Sequence, residues 1–229
     1  MADPYEETFI EAGFAPLSIP VLRYEWVNER ALRVALEHPA RYSGLICTSP
    51  RAVEAIAQVV PWASLEELGW HNRPVFAVGP RTAAGLRSIG FKPEGEESGS
   101  AVPLAEHILA RTVERRLLFL CGDRRRDELP DRLREGGIEL EEICVYRTLL
   151  RGDLDFSGLA RPEWIVFFSP SGVEAVLAAN PPVLSRAKLV AIGETTAEAL
   201  RAAGLQVHAT AKRPSADGVL LAVRDAVTG

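Results

Sequence analysis

The chain has 229 residues, of which 47% are hydrophobic and 25% are charged, and its formal net charge is −5. This length allows one large domain or two domains of about 100–120 residues each. The acidic balance argues against a nucleic-acid partner, and no apolar run approaches the ~20 residues of a membrane-spanning helix. The three cysteines form no CxxC pair, and the N-terminus lacks a basic stretch followed by an apolar core. We therefore expect a cytoplasmic protein without a disulfide framework.

Strands and helices are predicted to alternate along the chain, which is typical of an α/β fold with parallel sheets. The continuous apolar run at 117–121 predicts a buried strand. Leu129 and Leu133 then share one helix face, and Gly136-Gly137 ends that helix. In order, we predict a helix at 81–88, a polar loop at 93–100, a helix at 103–111, a strand at 117–121, a helix at 127–135, a strand from 143, a helix at 194–203, a loop at 211–216 and a helix at 216–227.

The two halves of the chain carry similar segments in the same order. LICTSPRAVEAI at 45–56 matches IVFFSPSGVEAVL at 165–177, and FAVGPRTAAGLRSIGF at 76–91 matches VAIGETTAEALRAAGL at 190–205. Each pair places a strand before a turn and a helix, so the repeat predicts two similar α/β units. Backbone N–H groups at such turns can face an anion. The repeat thus predicts a two-lobed protein with a polar cleft.

One strand of the repeat has no visible counterpart. The segment at 117–148 contains a strand, a helix and a second strand, and only its later part matches 3–26. The repeat therefore predicts a strand before Asp3 that this sequence does not show.

Four turns, at Ser49, Gly79, Ser169 and Gly193, are the strongest candidates for a binding site. Each follows an apolar strand and opens a helix. Any one of them is explained by helix capping alone, because Ser and Gly are favoured N-cap residues. Four equivalent turns favour an anion site as well, since ligands of parallel sheets bind at the carboxyl ends of the strands.

Other candidate residues each allow two interpretations. Tyr146 ends a predicted strand and is either a wall residue with its hydroxyl in water or a hydrogen-bond or proton donor. Arg124, Arg125 and Arg126 form either a solvated face or a carboxylate-binding group. The four histidines show no metal-ligand spacing, and Cys121 is more simply a buried thiol than a nucleophile.

Five stretches together resemble the uroporphyrinogen-III synthase family, in particular its animal-type branch. They follow the family's order and spacing and span nearly the whole chain from Asp3. They are YSGLICTSPRAVEA (42–55), VGPRTA (78–83), LLFLCGDRRRDELPDRLREGGIELEEICVYRT (117–148), FFSPSGVEAV (167–176) and AIGETTAEALRAAGL (191–205).

The resemblance implies a HemD-like, flavodoxin-like fold of two parallel-sheet α/β lobes joined by a two-stranded linker. One lobe would be discontinuous, at 1–19 plus 152–229, and the other would span 23–145. The linker strands would lie near 19–23 and 145–149. The strand before Asp3 belongs, in this scheme, to the discontinuous lobe.

The resemblance also implies a cofactor-free lyase of heme and tetrapyrrole biosynthesis. It would cyclise hydroxymethylbilane to uroporphyrinogen III with loss of water and inversion of ring D, through a spiro-pyrrolenine. The family suggests a monomer and allows a transient contact with hydroxymethylbilane synthase. An inactive truncated paralogue and a two-lobed small-anion binding protein remain alternatives.

Particular residues match the family's site. Tyr146 matches the tyrosine that assists departure of the substrate hydroxyl and is the catalytic candidate. The substrate-binding candidates are Ser49, Arg51, Thr82, Ser169, Ser171, Gly193, Thr195 and Thr196.

Overall fold

A computed structural model describes residues 3–111, 116–154, 156, 161–179 and 181–228. Within these ranges strands and helices alternate, as predicted. The strands are β1 (Leu22–Trp26), β2 (Gly44–Cys47), β3 (Val75–Ala77), β4 (Pro93–Glu94), β5 (Leu117–Gly122), β6 (Leu140–Leu150), β7 (Trp164–Phe167), β8 (Lys188–Ala191) and β9 (Ala209–Thr210). The α-helices are α1 (Pro4–Glu11), α2 (Glu29–Glu37), α3 (Pro50–Val59), α4 (Trp62–Glu67), α5 (Pro80–Ser88), α6 (Ala101–Leu109), α7 (Glu128–Glu135), α8 (Pro170–Ala179), α9 (Glu194–Ala202) and α10 (Ala216–Thr228).

The contacts within the chain divide it into two units. Unit 1 consists of Met1–Arg23 and Leu149–Gly229, and unit 2 consists of Tyr24–Thr148. The chain passes from one unit to the other within β1 and again within β6, which are neighbours in one sheet. Unit 2 is thus one continuous segment, whereas unit 1 is assembled from both ends of the chain.

Unit 2 is built on a six-stranded sheet in the order β1-β6-β5-β2-β3-β4. The five strands from β6 to β4 are parallel. Helices cover both faces of the sheet, which explains why β5 is apolar throughout rather than alternating. On one face, α2, α3 and α5 pack with Leu118 and Leu120, and we call this the first cluster. On the other, α6 and α7 pack with Leu117 and Phe119, and we call this the second cluster.

Unit 1 is built on a three-stranded parallel sheet in the order β7-β8-β9. Helices α8 and α9 cover one face through residues such as Val173 and Leu200. Helices α1 and α10 cover the other through residues such as Phe9 and Val219. Within the residues described above, no strand pairs with the second edge of β7. In unit 2 the equivalent strand β2 pairs with β5 at this edge. The strand that the repeat predicts before Asp3 stays a prediction.

The prediction of a plain loop at 93–100 was wrong. Pro93–Glu94 pairs in parallel with β3 as the edge strand β4, and Glu96–Ser98 forms a 3-10 turn. Edge pairing uses backbone groups, so polar side chains do not prevent it. Two of the three carboxylates in this segment form salt bridges, Glu94 with Arg111 and Glu96 with Arg87.

Tyr42 should make the stability of unit 2 sensitive to alkaline pH. Its fully buried ring stacks on Trp70, and burial, followed by the neighbouring Glu141 carboxylate, raises the pKa of its phenol to about 12. The folded state therefore keeps a proton that the unfolded chain releases near pH ~10. Stability present below that pH is lost as the pH rises toward about 12.

Urea unfolding at pH ~9 and ~11.5 would measure this loss. We expect the drop in unfolding free energy to be larger for the wild type than for Tyr42→Phe, which has no proton to release at this position. Equal drops in the two proteins would contradict this assignment.

Candidate active site

Ser49 stands where β2 meets α3, in unit 2. Its side chain accepts a hydrogen bond from the Arg51 N–H at 3.1 Å and so caps the helix. Pro50 occupies the first helical position, where its missing N–H costs no hydrogen bond. The capping interpretation is therefore correct for this turn, and it fixes the Ser49 hydroxyl at the carboxyl end of a central strand.

Tyr146 lies on β6 with its phenol directed toward Ser49. The ring contacts the Tyr24 ring edge-on, with centroids 5.9 Å apart. Burial raises the pKa of the Tyr146 phenol above its usual range, and the Ser49 side chain offsets part of this effect. A half-buried phenol that keeps its proton is a hydrogen-bond donor, which is the chemistry expected of the catalytic candidate.

Arg51 is held beside this pair of tyrosines. Its guanidinium lies 4.3 Å from the centre of the Tyr24 ring, and its Nη1 contacts both Glu54 carboxylate oxygens at 2.6 and 2.7 Å. Nearly half of the side chain remains exposed. Arg51 is thus held in one orientation by stacking on Tyr24 and by pairing with Glu54.

The arginine triplet is divided in two by the structure. Arg125 pairs with Asp127 and with Glu142, the latter at 2.6 Å. Arg124 and Arg126 are exposed. Arg125 therefore serves the local salt-bridge network, and only its two neighbours present their charges to solvent.

In unit 1, Ser169 and Ser171 form a second hydroxyl pair. Their side-chain oxygens are 3.0 Å apart, and the Ser169 hydroxyl also accepts from the Gly172 N–H at 3.1 Å. These residues lie at the junction of β7 and α8. Ser169 thus repeats in unit 1 the capping role of Ser49 in unit 2.

The two glycine turns differ from the serine turns because no side chain caps their helices. Gly79 precedes α5 and Gly193 precedes α9. Both glycines are fully extended, with φ of −172° and −176°, so the backbone conformation does not require glycine. An added Cβ at either position would meet no described atom within 4 Å. Because these residues have no side chain, they leave open space beside the amides of the first helical turn.

A buried threonine follows each of these glycines by three positions. Thr82 and Thr196 are each 3% exposed, whereas Thr195 is exposed. The repeat predicts this equivalence, because G-x-x-T-A occurs at both turns.

The structure thus brings Ser49, Arg51 and Tyr146 together in unit 2 and pairs Ser169 with Ser171 in unit 1. Sequence reasoning missed Tyr24 and Glu54, which orient Arg51. Tyr24 lies on β1, far along the chain from its partners, and no local pattern marks it. The spacing of Arg51 and Glu54 at i, i+3 on one helix was a signal that could have been used.

Within the described ranges, the other reactive groups do not form a second site. The Cys121 thiol is buried, and burial raises its pKa to about 11, so it is protonated and a poor nucleophile. Among the residues that the structure describes, no three His, Cys, Asp or Glu side chains are grouped to hold a metal ion. Nor does any helix in that part of the chain combine the length and apolarity needed to cross a membrane.

Comparisons with known proteins agree over nearly the whole chain. A family model described as uroporphyrinogen-III synthase HemD matches residues 3–220. The uroporphyrinogen-III synthase of Schizosaccharomyces pombe is 31% identical over 231 residues, covering 95% of this chain and 89% of the yeast protein. That of Saccharomyces cerevisiae is 28% identical over 222 residues, covering 85% of this chain and 81% of its own.

Two solved structures share the fold. The crystal structure of the Helicobacter pylori uroporphyrinogen-III synthetase aligns with a TM-score of 0.63 at 23% identity, covering 93% of this chain and 94% of its own. A mutant uroporphyrinogen III synthase from the extremely thermophilic bacterium Thermus thermophilus aligns with a TM-score of 0.51 at 20% identity, covering 98% and 94%. Together with the sequence matches, these findings show that the chain belongs to the uroporphyrinogen-III synthase family of lyases.

Proposed function

We propose that this chain converts hydroxymethylbilane to uroporphyrinogen III, with loss of water and inversion of ring D, in heme and tetrapyrrole biosynthesis. The observation that carries the proposal is the half-buried Tyr146 phenol beside Ser49, where β2 and β5 end. It occurs in a chain that matches the family from residue 3 to residue 220.

The substrate's carboxylates would be held by hydroxyls, first-turn amides and one guanidinium. Hydroxyl and amide donors suit this task in an acidic protein, because they attract a carboxylate locally without a positive overall field. The open space beside Gly79 and Gly193 supports close approach of a ligand to the backbone. The proposed binding residues are Ser49, Arg51, Thr82, Ser169, Ser171, Gly193, Thr195 and Thr196.

Tyr146 would act on the leaving hydroxyl. Its O–H donates a hydrogen bond or a proton to that oxygen, the C–O bond breaks, and water leaves. The phenolate then regains a proton from the substrate when the last ring closes, so protons balance over the cycle. Much of the rate should come from holding the reacting ends together, because the reaction is intramolecular.

We further propose that the protein works without a cofactor, as a cytoplasmic monomer that contacts hydroxymethylbilane synthase transiently. Protonation by Tyr146 and the positioning of the substrate supply the chemistry that the reaction needs. Size-exclusion chromatography with light scattering would test the monomer, and a dimer at micromolar concentration would contradict it.

Isomer analysis tests the proposed function directly. The purified chain is given hydroxymethylbilane, the products are oxidised, and type I and type III porphyrins are separated. Type III above the enzyme-free background supports the proposal. Type I alone would overturn the proposal and would indicate an anion-binding protein or an inactive paralogue. The match to synthases over most of the chain does not favour these two alternatives.

Thr196→Met should impair unit 1 in two ways. The longer side chain has no room at this buried position, and overpacking of a core costs about 1–3 kcal/mol of unfolding free energy. It would also disturb the first turn of α9 and so lower formation of type III product. Activity is compared at equal concentrations of folded protein, with Thr195→Met as the exposed control for stability. Wild-type activity and stability for Thr196→Met would contradict a role for this turn.

A further inference from the structure

We propose that Gly122 and Asp123 are positioning residues for Tyr146, because they hold an irregularity in the pairing of β5 with β6 that turns the phenol toward Ser49. The inference rests on the proposed function, since the orientation of Tyr146 matters only if its phenol acts on the substrate. It adds two residues that do not themselves touch the reacting atoms.

The register between β5 and β6 shifts by one residue at the end of β5. Cys121 pairs with Cys144, but Gly122 pairs with Tyr146, so Val145 is an extra residue on β6. A bulge of this kind bends a strand and re-aims the side chains that follow it.

The sheet faces on which the β6 side chains lie show that their alternation changes at the bulge. Ile143 and Val145 belong to the first cluster, whereas Cys144 packs on the second, as strand alternation requires. Regular alternation would place Tyr146 on the second-cluster face with Cys144. It packs against the first cluster instead, on the same face as Val145. The bulge therefore decides on which face of the sheet the phenol lies.

Gly122 supplies the room for this orientation. A Cβ added at Gly122 would lie 2.4 Å from Cζ of Tyr146 and 2.6 Å from its hydroxyl oxygen, far inside van der Waals contact. Gly122 is absent from the glycines with positive φ, so the requirement is one of space. Any larger residue at position 122 would displace the ring or the strand.

Asp123 closes the bulge through two backbone contacts. Its N–H donates to the Tyr146 carbonyl at 3.1 Å, and its carboxylate accepts from the Thr148 N–H at 2.9 Å. The carbonyl of Tyr146 also accepts from the Cys144 thiol at 3.4 Å. Asp123 thus holds the β6 backbone directly after the Tyr146 side chain, at the Tyr146 carbonyl and the Thr148 N–H.

A double-mutant cycle tests whether Gly122 acts through Tyr146. Gly122→Ala should lower kcat for type III product about 10²-fold, as expected for a misplaced catalytic group, with KM changed little. In the Tyr146→Phe background the same substitution should cost almost nothing more, because the hydroxyl is already gone. Independent, multiplicative losses would overturn the inference. Gly85→Ala is the matched control, since its Cβ would meet Val53 at an ordinary 3.5 Å.

A spectroscopic measurement separates this inference from the proposed function. The chain has four tyrosines, and ¹³C-labelled tyrosine followed by NMR during alkaline titration reports each phenol. Gly122→Ala should shift the Tyr146 resonance and lower its titration midpoint, since displacement exposes the phenol, and should leave Tyr42 unchanged. This result would stand even if the wild type made no type III product. An unmoved Tyr146 signal would refute the positioning role.

Asp123 provides a second variant that keeps the inference testable if Gly122→Ala does not fold. Asp123→Ala removes the acceptor for Thr148 and should lower kcat, whereas Asp123→Asn keeps an oxygen there and should restore most of it. Equal losses for Ala and Asn would mean that the charge matters rather than the backbone contact, and would contradict the role proposed here.

Discussion

Tyr146→Phe should lower kcat for uroporphyrinogen III formation about 10²-fold, at the lower end of the range for general acid catalysis. The substitution removes the O–H and keeps the ring, so the packing against Tyr24 and Gly122 survives. KM should change little, because the lost interaction forms when the hydroxyl departs. Some type III product should persist, since the chain still holds the substrate's reacting ends together.

The matched control is Tyr5→Phe, which makes the same chemical change at a tyrosine packed edge-on against Phe168 in unit 1. It should retain wild-type kcat. Initial rates of type III formation, separated from type I product, measure both variants. A kcat for Tyr146→Phe equal to that of the wild type would remove Tyr146 from the mechanism.

Phe119→Ala should lower the free energy of unfolding of unit 2 by about 3–5 kcal/mol, the usual cost of deleting a buried phenyl ring. Phe119 sits in the middle of β5, between β6 and β2, and is 1% exposed. Its ring belongs to the second cluster, under α6 and α7. The rigid sheet on one side and two helices on the other leave little freedom for the cavity to collapse.

Phe168→Ala is the matched control, because it deletes the same ring at a position that is half exposed. It should cost far less, about 1 kcal/mol, since it loses mainly an aromatic contact with Tyr5. Chemical denaturation followed by circular dichroism compares the two. Similar losses would show that β5 does not carry the core of unit 2.

Much of the fold could be predicted from the sequence because its strongest signals are local. The run Leu117–Gly122 is apolar on both faces, and that pattern occurs only where helices cover a sheet on both sides. Repeated strand-turn-helix segments gave the two α/β units. The edge strand β4 was missed because two residues paired through their backbone leave no side-chain pattern.

Of the candidate site, the sequence could indicate the residues that lie at helix ends. Ser49 and Ser169 cap helices, and capping residues leave a clear signal. The partners of Tyr146 were not predictable, because a bulge depends on the register between two strands and Gly122 resembles any strand-ending glycine. The extended φ of Gly79 and Gly193 could not be read from the sequence either, because a glycine before a helix is compatible with extended and with left-handed backbone.

The division of the chain has a consequence for the order in which its parts can fold during synthesis. Unit 2 is complete once Thr148 has been made. Helix α1, which precedes unit 2 in the sequence, buries Tyr5 and Phe9 against Val219 and Val223 of α10, which follows unit 2. These aromatic side chains therefore stay without their native cover until α10 has been made, and a ribosome-bound chain would until then hold a finished unit 2 and an unfinished unit 1.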